Sequence, residues 1–208
     1  RTVLFVSHNI AAVSGLCSSA IWLEAGKVSA IDDTVQIVGK YLAASAHNIN
    51  QSLRNRDNRD GTGHIRIWEL SLLDTEGHPL GHAISGQPVT FVIRYETLFD
   101  SNIHFENVIF SIRISDLHDQ YLFTLSTHFT VNIPPVGELI CHVPTFPLAA
   151  GTYNVYLWVG NDISTIDAIP NAVLLSVQSY DVFGSGKTPE PRKHGPFIVP
   201  HSWSISAQ

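Results

Sequence analysis

Methionine is absent from this sequence, and cysteine occurs only twice among its 208 residues. Cys17 and Cys141 lie in different segments and form no CxxC pair, so the sequence predicts neither a zinc site nor a disulfide framework. Two unpaired thiols favour a reducing compartment. Because position 1 is an arginine and no methionine follows, we expect the chain to be a piece of a longer protein.

Charged residues are also scarce, at 14 % of the chain, and the formal net charge is −6. The longest basic run is Arg192-Lys193-His194, and binding to a nucleic-acid backbone requires more clustered lysine and arginine than this. The sequence also contains no signal peptide and no apolar run long enough to span a membrane. Hydrophobic residues make up 44 % and aromatic residues 10 % of the chain, which is typical of a β-rich globular protein.

The N-terminal part, residues 1–46, alternates predicted strands and helices. Residues 2–6 have the pattern of a fully buried strand, and residues 20–24 and 27–31 that of a hairpin. Thr34 is predicted to cap the helix that follows, since its hydroxyl can accept a hydrogen bond from a first-turn amide. This part is therefore predicted to be a small α/β unit.

Residues 47–63, HNINQSLRNRDNRDGTG, hold almost no large apolar side chain. Asparagine, arginine, aspartate and glycine dominate the stretch, which is typical of a linker, and a domain boundary is predicted here. The alternating arginines and aspartates could instead pair with a neighbouring surface.

The pattern of residues 64–208 is that of β-structure. Runs of alternating apolar and polar residues are separated by turn signals such as Asp74-Thr75-Glu76-Gly77 and Pro134-Pro135-Val136-Gly137. This repetition predicts an immunoglobulin-like antiparallel β-sandwich. The predicted strands cover residues 64–73, 88–98, 105–115, 120–128, 137–146, 151–161, 172–182 and 197–205.

The N-terminal part also carries an ordered set of motifs. Its apolar strand ends on Ser7-His8-Asn9, a short helix and a β-pair follow, and Leu23-Glu24-Ala25-Gly26-Lys27-Val28 precedes the last helix. This order resembles the final stretch of an ABC-transporter nucleotide-binding domain. The resemblance implies that His8 is the switch histidine, which contacts the γ-phosphate of ATP in that family.

The other ATP-binding motifs of that family are missing from the chain. There is no GxxxxGK[ST] loop, no LSGGQ-like signature and no apolar strand ending in Asp-Glu ahead of His8. Those motifs supply the phosphate cradle and the magnesium ligands, so His8 is predicted to be the remnant of a larger site. The resemblance implies ATP and Mg²⁺ as cofactors of the parent protein and no cofactor for this chain.

The β-rich part narrows the resemblance to one subfamily. Behind the ABC-like terminus come, in order, Gly63-His64-Ile65-Arg66-Ile67, Gly86-Gln87-Pro88-Val89-Thr90-Phe91 and Leu148-Ala149-Ala150-Gly151-Thr152-Tyr153. Together they resemble the C-terminal domain of polysaccharide-export ATPases of the Wzt type. The resemblance implies a carbohydrate-binding domain that recognises the export-ready O-antigen polysaccharide of lipopolysaccharide and couples it to transport.

The same resemblance implies partners and a location. The partners would be the polysaccharide, the permease subunit of the exporter and a second copy of the chain in a homodimer. The protein would be cytoplasmic and peripheral, at the inner face of the bacterial cytoplasmic membrane.

Sugar recognition in water typically uses an exposed aromatic face flanked by fixed hydrogen-bonding groups. Alternation along residues 151–161 turns Tyr156 and Trp158 to the face opposite the apolar one. The same reasoning turns polar residues of two earlier strands outward, with Ser111 and Glu96 among them. The predicted glycan-binding residues are Tyr156, Trp158, Asn154, Arg94, Asn107 and Arg113.

Two other functions remain open. A dimer partner could cover Tyr156 and Trp158, and the sandwich would then be a structural dimerisation module without direct glycan binding. A glycosidase would need two carboxylates roughly 5–10 Å apart, and the sequence singles out no such pair and no nucleophile motif. The histidines match no metal-binding spacing, so neither a metal site nor a catalytic role is predicted.

The purified chain is expected to hydrolyse no ATP, because one histidine cannot hold the nucleotide and its magnesium ion. The measurement is phosphate release from ATP and Mg²⁺ by the chain, by a His8→Ala variant and by buffer, with equal rates expected. Release by the chain above the buffer rate would contradict the prediction.

Overall fold

In the computed structural model the chain is mostly β-structure, as predicted from the pattern of strands and turns. Two sheets of largely antiparallel strands face each other, and a hairpin with one long helix precedes them. The structure describes residues 3–6, 13, 15–24, 26–46, 49–50, 52–98, 107–129 and 137–204.

The N-terminal part contains the predicted hairpin and the helix after it. β1 (Ser19–Glu24) pairs antiparallel with β2 (Lys27–Asp33), and α1 (Thr34–Ala46) follows directly. Trp22 of β1 meets Tyr41 of α1 edge to face, with ring centroids 6.0 Å apart. This aromatic contact holds the helix against the hairpin.

The predicted cap of α1 is wrong by one residue. The Asp33 carboxylate accepts the Gln36 N–H at 2.9 Å and is therefore the N-cap. The Thr34 hydroxyl instead donates to the Cys17 carbonyl oxygen, at 2.8 Å. Aspartate and threonine stand side by side here, and the hydroxyl bond to Cys17 leaves the capping position to the aspartate.

Residues 3–6 do not form the predicted buried strand. They have no regular secondary structure, and Val3, Leu4 and Val6 are each more than 80 % exposed. A buried parallel strand requires a neighbouring strand to pair with, and no described strand pairs with these residues.

Among the described residues, eight strands form the sandwich: β3 (Ile65–Leu73), β4 (Ala83–Ile84), β5 (Val89–Thr97), β6 (Ile109–Ser115), β7 (Tyr121–Ser126), β8 (Gly137–Val143), β9 (Gly151–Gly160) and β10 (Thr165–Gln178). The five-stranded sheet has the order β4-β10-β9-β6-β7, and the three-stranded sheet the order β3-β5-β8. Of the strand pairs that the structure describes, only β4 and β10 run parallel. A short helix, α2 (Pro191–His194), follows the sandwich.

The core lies between the two sheets and takes alternate residues from each strand. On β9 the inward side chains are Val155, Leu157 and Val159, all fully buried. Tyr95 of the three-stranded sheet meets Phe110 of the five-stranded sheet, with ring centroids 4.6 Å apart. Burying each side chain of this size stabilises the fold by about 1.5–3 kcal/mol. A one-residue shift of register would expose all of them, so the alternation fixes which face of each strand stays outside.

Two predicted strands differ from the observed ones. β10 begins at Thr165, well before the predicted start at residue 172. Residues 197–204 form no strand, and Phe197 makes only an isolated bridge. Pro200 lies in that stretch, and proline cannot donate to a strand ladder.

Part of the stretch predicted as a linker packs against the sandwich. Ile49 and Leu53 are buried in its core, each no more than 2 % exposed. These two side chains are isolated among polar residues, so the sequence shows no periodic apolar pattern that would predict their burial. We refer to residues 49–50 and 52–63 as the clasp; the division of the chain into domains stays a prediction.

The clasp pairs with the edge strand β3 of one sheet and, in the other, with the part of β10 that β4 leaves uncovered. The Leu53 N–H donates to the Trp68 carbonyl oxygen on β3, at 2.7 Å, and the Asp60 N–H donates to the Ala168 carbonyl oxygen on β10, at 3.0 Å. Backbone groups of these two strands are thereby satisfied. The structure thus agrees with the alternative in which this stretch pairs with a neighbouring surface.

A buried ion pair holds the clasp between the sheets. Arg59 donates to Asp167 through Nε at 3.0 Å and through Nη2 at 2.7 Å, and the two side chains are only 8 % and 3 % exposed. Arg59 also donates to the carbonyl oxygens of Leu53 and Ile67, and the Ile67 N–H donates to Asp167 at 2.9 Å. These bonds supply the partners that buried charges require.

The clasp also supports an irregular stretch of β10. The pairing of β10 with β9 shifts between Ile169 and Val173, and Asn171 within that bulge has a φ of 48°. Arg56 Nη2 donates to the carbonyl oxygens of Asn171 and Ala172, at 2.7 and 2.6 Å. The arginine therefore satisfies carbonyl groups that the bulge removes from the strand ladder.

The variant Asp167→Ala is expected to lose about 3–5 kcal/mol of unfolding free energy, because it leaves the Arg59 charge buried without its partner. The measurement is urea unfolding followed by tryptophan fluorescence. Lys193→Ala is the control, since it breaks an exposed pair with Glu190 and should change stability by less than about 1 kcal/mol. Equal losses in the two variants would show that the Arg59–Asp167 pair does not hold the fold.

Candidate functional site

The outer face of the five-stranded sheet carries polar and aromatic side chains from adjacent strands. They point away from the core because the residues between them along each strand are buried on the inner face. Opposite residues on neighbouring strands lie close enough to form one continuous surface. This outer platform comprises the opposed pairs Ser115 and Asn154, Arg113 and Tyr156, and Ser111 and Trp158, together with Tyr121.

Arg113 lies at the centre of the outer platform. Its guanidinium carbon is 5.0 Å from the ring centroid of Tyr156 and 5.9 Å from that of Tyr121, so both rings attract the cation. Burial raises the pKa of the Tyr156 hydroxyl; Arg113 acts against this increase and Asp60 adds to it. Tyr156 is therefore protonated at neutral pH, and its hydroxyl can donate a hydrogen bond.

Tyr121 belongs to the outer platform although alternation along its strand does not predict it. Strict alternation would turn Tyr121 to the same side as Phe123, toward the core. The register shifts at this point, because Ile114 opposes Phe123 while Ser115 opposes Tyr121. The bulge turns Tyr121 outward, where it is 57 % exposed.

Trp158 is half-buried and held in one position on the outer platform. Its indole Nε1 donates to the Thr165 hydroxyl at 3.1 Å. Gly160 provides the space for the ring, because a Cβ at that position would collide with the Trp158 side chain and lie 2.6 Å from the Ser164 carbonyl oxygen. The indole is therefore a fixed wall rather than a freely moving side chain.

The two asparagines predicted to bind glycan have different surroundings. Asn154 Nδ2 lies 3.3 Å from both the Asp116 carbonyl oxygen and Asp119 Oδ1, so its amide group holds the neighbouring turn. Asn107 is exposed and precedes β6. Asn154 thus belongs to the outer platform, whereas Asn107 lies beyond its paired rows.

Arg94 does not join the other predicted residues. It lies on β5, on the outer side of the three-stranded sheet, and so faces away from the outer platform. Its guanidinium pairs with the Glu69 carboxylate and with Glu138, the latter at 3.1 Å. Glu96 shares the same strand and the same face. Alternation identifies which residues point outward, but it does not say to which of two sheets a strand belongs.

His8, the predicted nucleotide contact, lies outside the described residues. Within the described ranges, no three His, Cys, Asp or Glu side chains gather where they could hold a metal ion. Cys17 and Cys141 are both free thiols. The described helices are all too short or too polar to cross a membrane.

Comparison with known proteins identifies the family of the sandwich. The family model described as the Wzt C-terminal domain matches residues 56–197. A solved structure, entitled "Crystal structure of the C-terminal domain of wzt", aligns with a TM-score of 0.57 and 14 % sequence identity, over 78 % of this chain and 96 % of that chain. That identity supports a shared fold alone. The curated proteins gave no match.

The variant Gly160→Ala is expected to displace the Trp158 ring. It should also lose about 1–3 kcal/mol of unfolding free energy, because the added methyl group overpacks the site. The Trp158 indole N–H resonance, assigned with a Trp158→Phe variant, should shift, and the urea midpoint should fall. Gly39→Ala is the matched control, since nothing lies within 4 Å of a Cβ at Gly39 and alanine favours helix. An unmoved indole resonance in Gly160→Ala would contradict the role given to Gly160.

Proposed function

Because this chain belongs to the Wzt C-terminal domain family, we propose that it is the carbohydrate-recognition domain of a polysaccharide-exporting ABC ATPase. Its ligand is the export-ready O-antigen polysaccharide. Its partners are the permease subunit and a second copy of the chain, at the cytoplasmic face of the inner membrane. ATP and Mg²⁺ are cofactors of the parent ATPase, to whose site this chain contributes His8, and the chain itself acts by binding and not by catalysis.

The outer platform is the observation that carries this proposal. Tyr121 offers an exposed aromatic face, on which the C–H face of a sugar ring can stack. Arg113 is fixed between two rings and presents guanidinium donors to sugar hydroxyl groups. Asn154, Ser111 and Ser115 add short polar groups on the same face. Aromatic stacking combined with fixed hydrogen-bond donors is the combination that binds a sugar ring.

The position of the clasp supports coupling between glycan binding and transport. The clasp follows the part of the sequence that resembles an ABC domain, and it bonds to the bulge of β10 through Arg56. That bulge lies opposite Tyr156, between the paired residues Val155 and Leu157 of β9. A glycan that moves the outer platform would therefore act on the segment that leads toward the ATPase.

The test is titration of bacterial O-polysaccharides into the 208-residue chain, followed by calorimetry. Tyr121→Ala and Arg113→Ala should each lower the affinity for the polysaccharide about tenfold, because each removes an interaction worth about 1–2 kcal/mol of binding free energy. Arg94→Ala is the matched control, an outward arginine on the other sheet, and its affinity should equal that of the unchanged chain.

Light scattering on the same variants separates glycan recognition from the structural alternative. If the outer platform binds glycan, both variants keep their oligomeric state while they lose affinity. If Arg113→Ala no longer dimerises, recognition by the outer platform is contradicted. The same holds if Arg113→Ala and Arg94→Ala bind the polysaccharide with equal affinity.

A further inference from the structure

A second cleft, of about 190 Å³, lies where the clasp crosses the edge of the three-stranded sheet. The clasp contributes Arg54 and Arg59 to it, and β3 and the end of β5 contribute the other walls. Because it opens on the three-stranded sheet, it is separate from the outer platform. Its lining residues are Arg54, Arg59, Arg66, Trp68, Glu96 and Leu98.

The charges that line this cleft do not cancel. Arg54 pairs with Glu96 at 2.8 Å, and the buried Arg59 pairs with Asp167 at 2.7 Å. Arg66 has no ion-pair or hydrogen-bond partner for its side chain in the described part of the chain, although it lies opposite Glu96 in the register of β3 and β5. The cleft therefore holds one guanidinium whose charge no described carboxylate neutralises.

Trp68 gives the cleft an aromatic wall beside this charge. The Arg54 guanidinium carbon is 4.7 Å from the Trp68 ring centroid, so the cation and the ring fix one another's position. A guanidinium binds a carboxylate or a phosphate through two parallel hydrogen bonds. The volume of the cleft is below the roughly 300–1,000 Å³ of pockets for drug-sized ligands, so it fits one substituent of a larger molecule.

We propose that this cleft binds the anionic group, a carboxylate or a phosphate, of an acidic saccharide. Arg66 pairs with the anion, Arg54 supplies further donors, and Trp68 contacts the sugar that carries the group. The proposal rests on the proposed function only for the source of the sugar, a polysaccharide that the sandwich recognises.

The test is calorimetric titration of the 208-residue chain with glucuronic acid, glucose 6-phosphate, inorganic phosphate and glucose. The acidic sugars should bind, glucose should not, and added NaCl should weaken the binding. Arg66→Gln should reduce the affinity for the acidic sugars about tenfold. Arg192→Gln, which removes the same charge from the exposed α2, should leave it unchanged.

Each remaining outcome decides against the cleft. Acidic sugars that bind no better than glucose, or equal losses in Arg66→Gln and Arg192→Gln, would overturn the proposal. Inorganic phosphate that binds as tightly as glucose 6-phosphate would overturn recognition of a saccharide. Polysaccharide binding that Arg113→Ala weakens and Arg66→Gln does not would overturn the cleft and leave the proposed function intact.

Discussion

The ion pair between Arg59 and Asp167 is the constraint on which the arrangement of this sandwich depends. Two opposite charges leave water only when each finds hydrogen-bonding partners inside, and here those partners come from three separate stretches of chain. Asp167 belongs to one sheet, the Ile67 backbone to the other, and Arg59 to the clasp. Moving Arg59 or Asp167 would leave the other charge buried without its counter-ion, and moving the Ile67 backbone would remove a hydrogen-bonding partner from each of them.

Both candidate binding surfaces follow from this anchoring of the clasp. On one side Arg56 satisfies the bulge of β10, and that bulge faces the strand that carries Tyr156. On the other side Arg54 stacks on Trp68 and pairs with Glu96. A stretch with few apolar side chains thus contributes to the outer platform indirectly and to the second cleft directly.

Much of the fold could be predicted from the sequence, because periodicity reports burial on a strand. The inward side chains of β9 and the outward position of Arg113 both follow from alternation. Two features of the site cannot be predicted from alternating apolar and polar residues. One is the sheet to which a strand belongs, which separates Arg94 from the outer platform. The other is the bulge that turns Tyr121 outward. The packing of the clasp could not be predicted for a further reason: in the sequence, polar side chains that pair with a distant strand look the same as those of a solvated linker.

The anchoring of Arg59 also bears on how such domains can be exchanged between proteins. A segment transplanted from residue 64 onward would carry Asp167 into a new host without its cation, and the buried carboxylate would face no partner. A segment that begins before Ile49 would carry the ion pair, the edge pairing and two core side chains together. Recombination that swaps ligand specificity while keeping a folded protein should therefore break the chain upstream of the clasp.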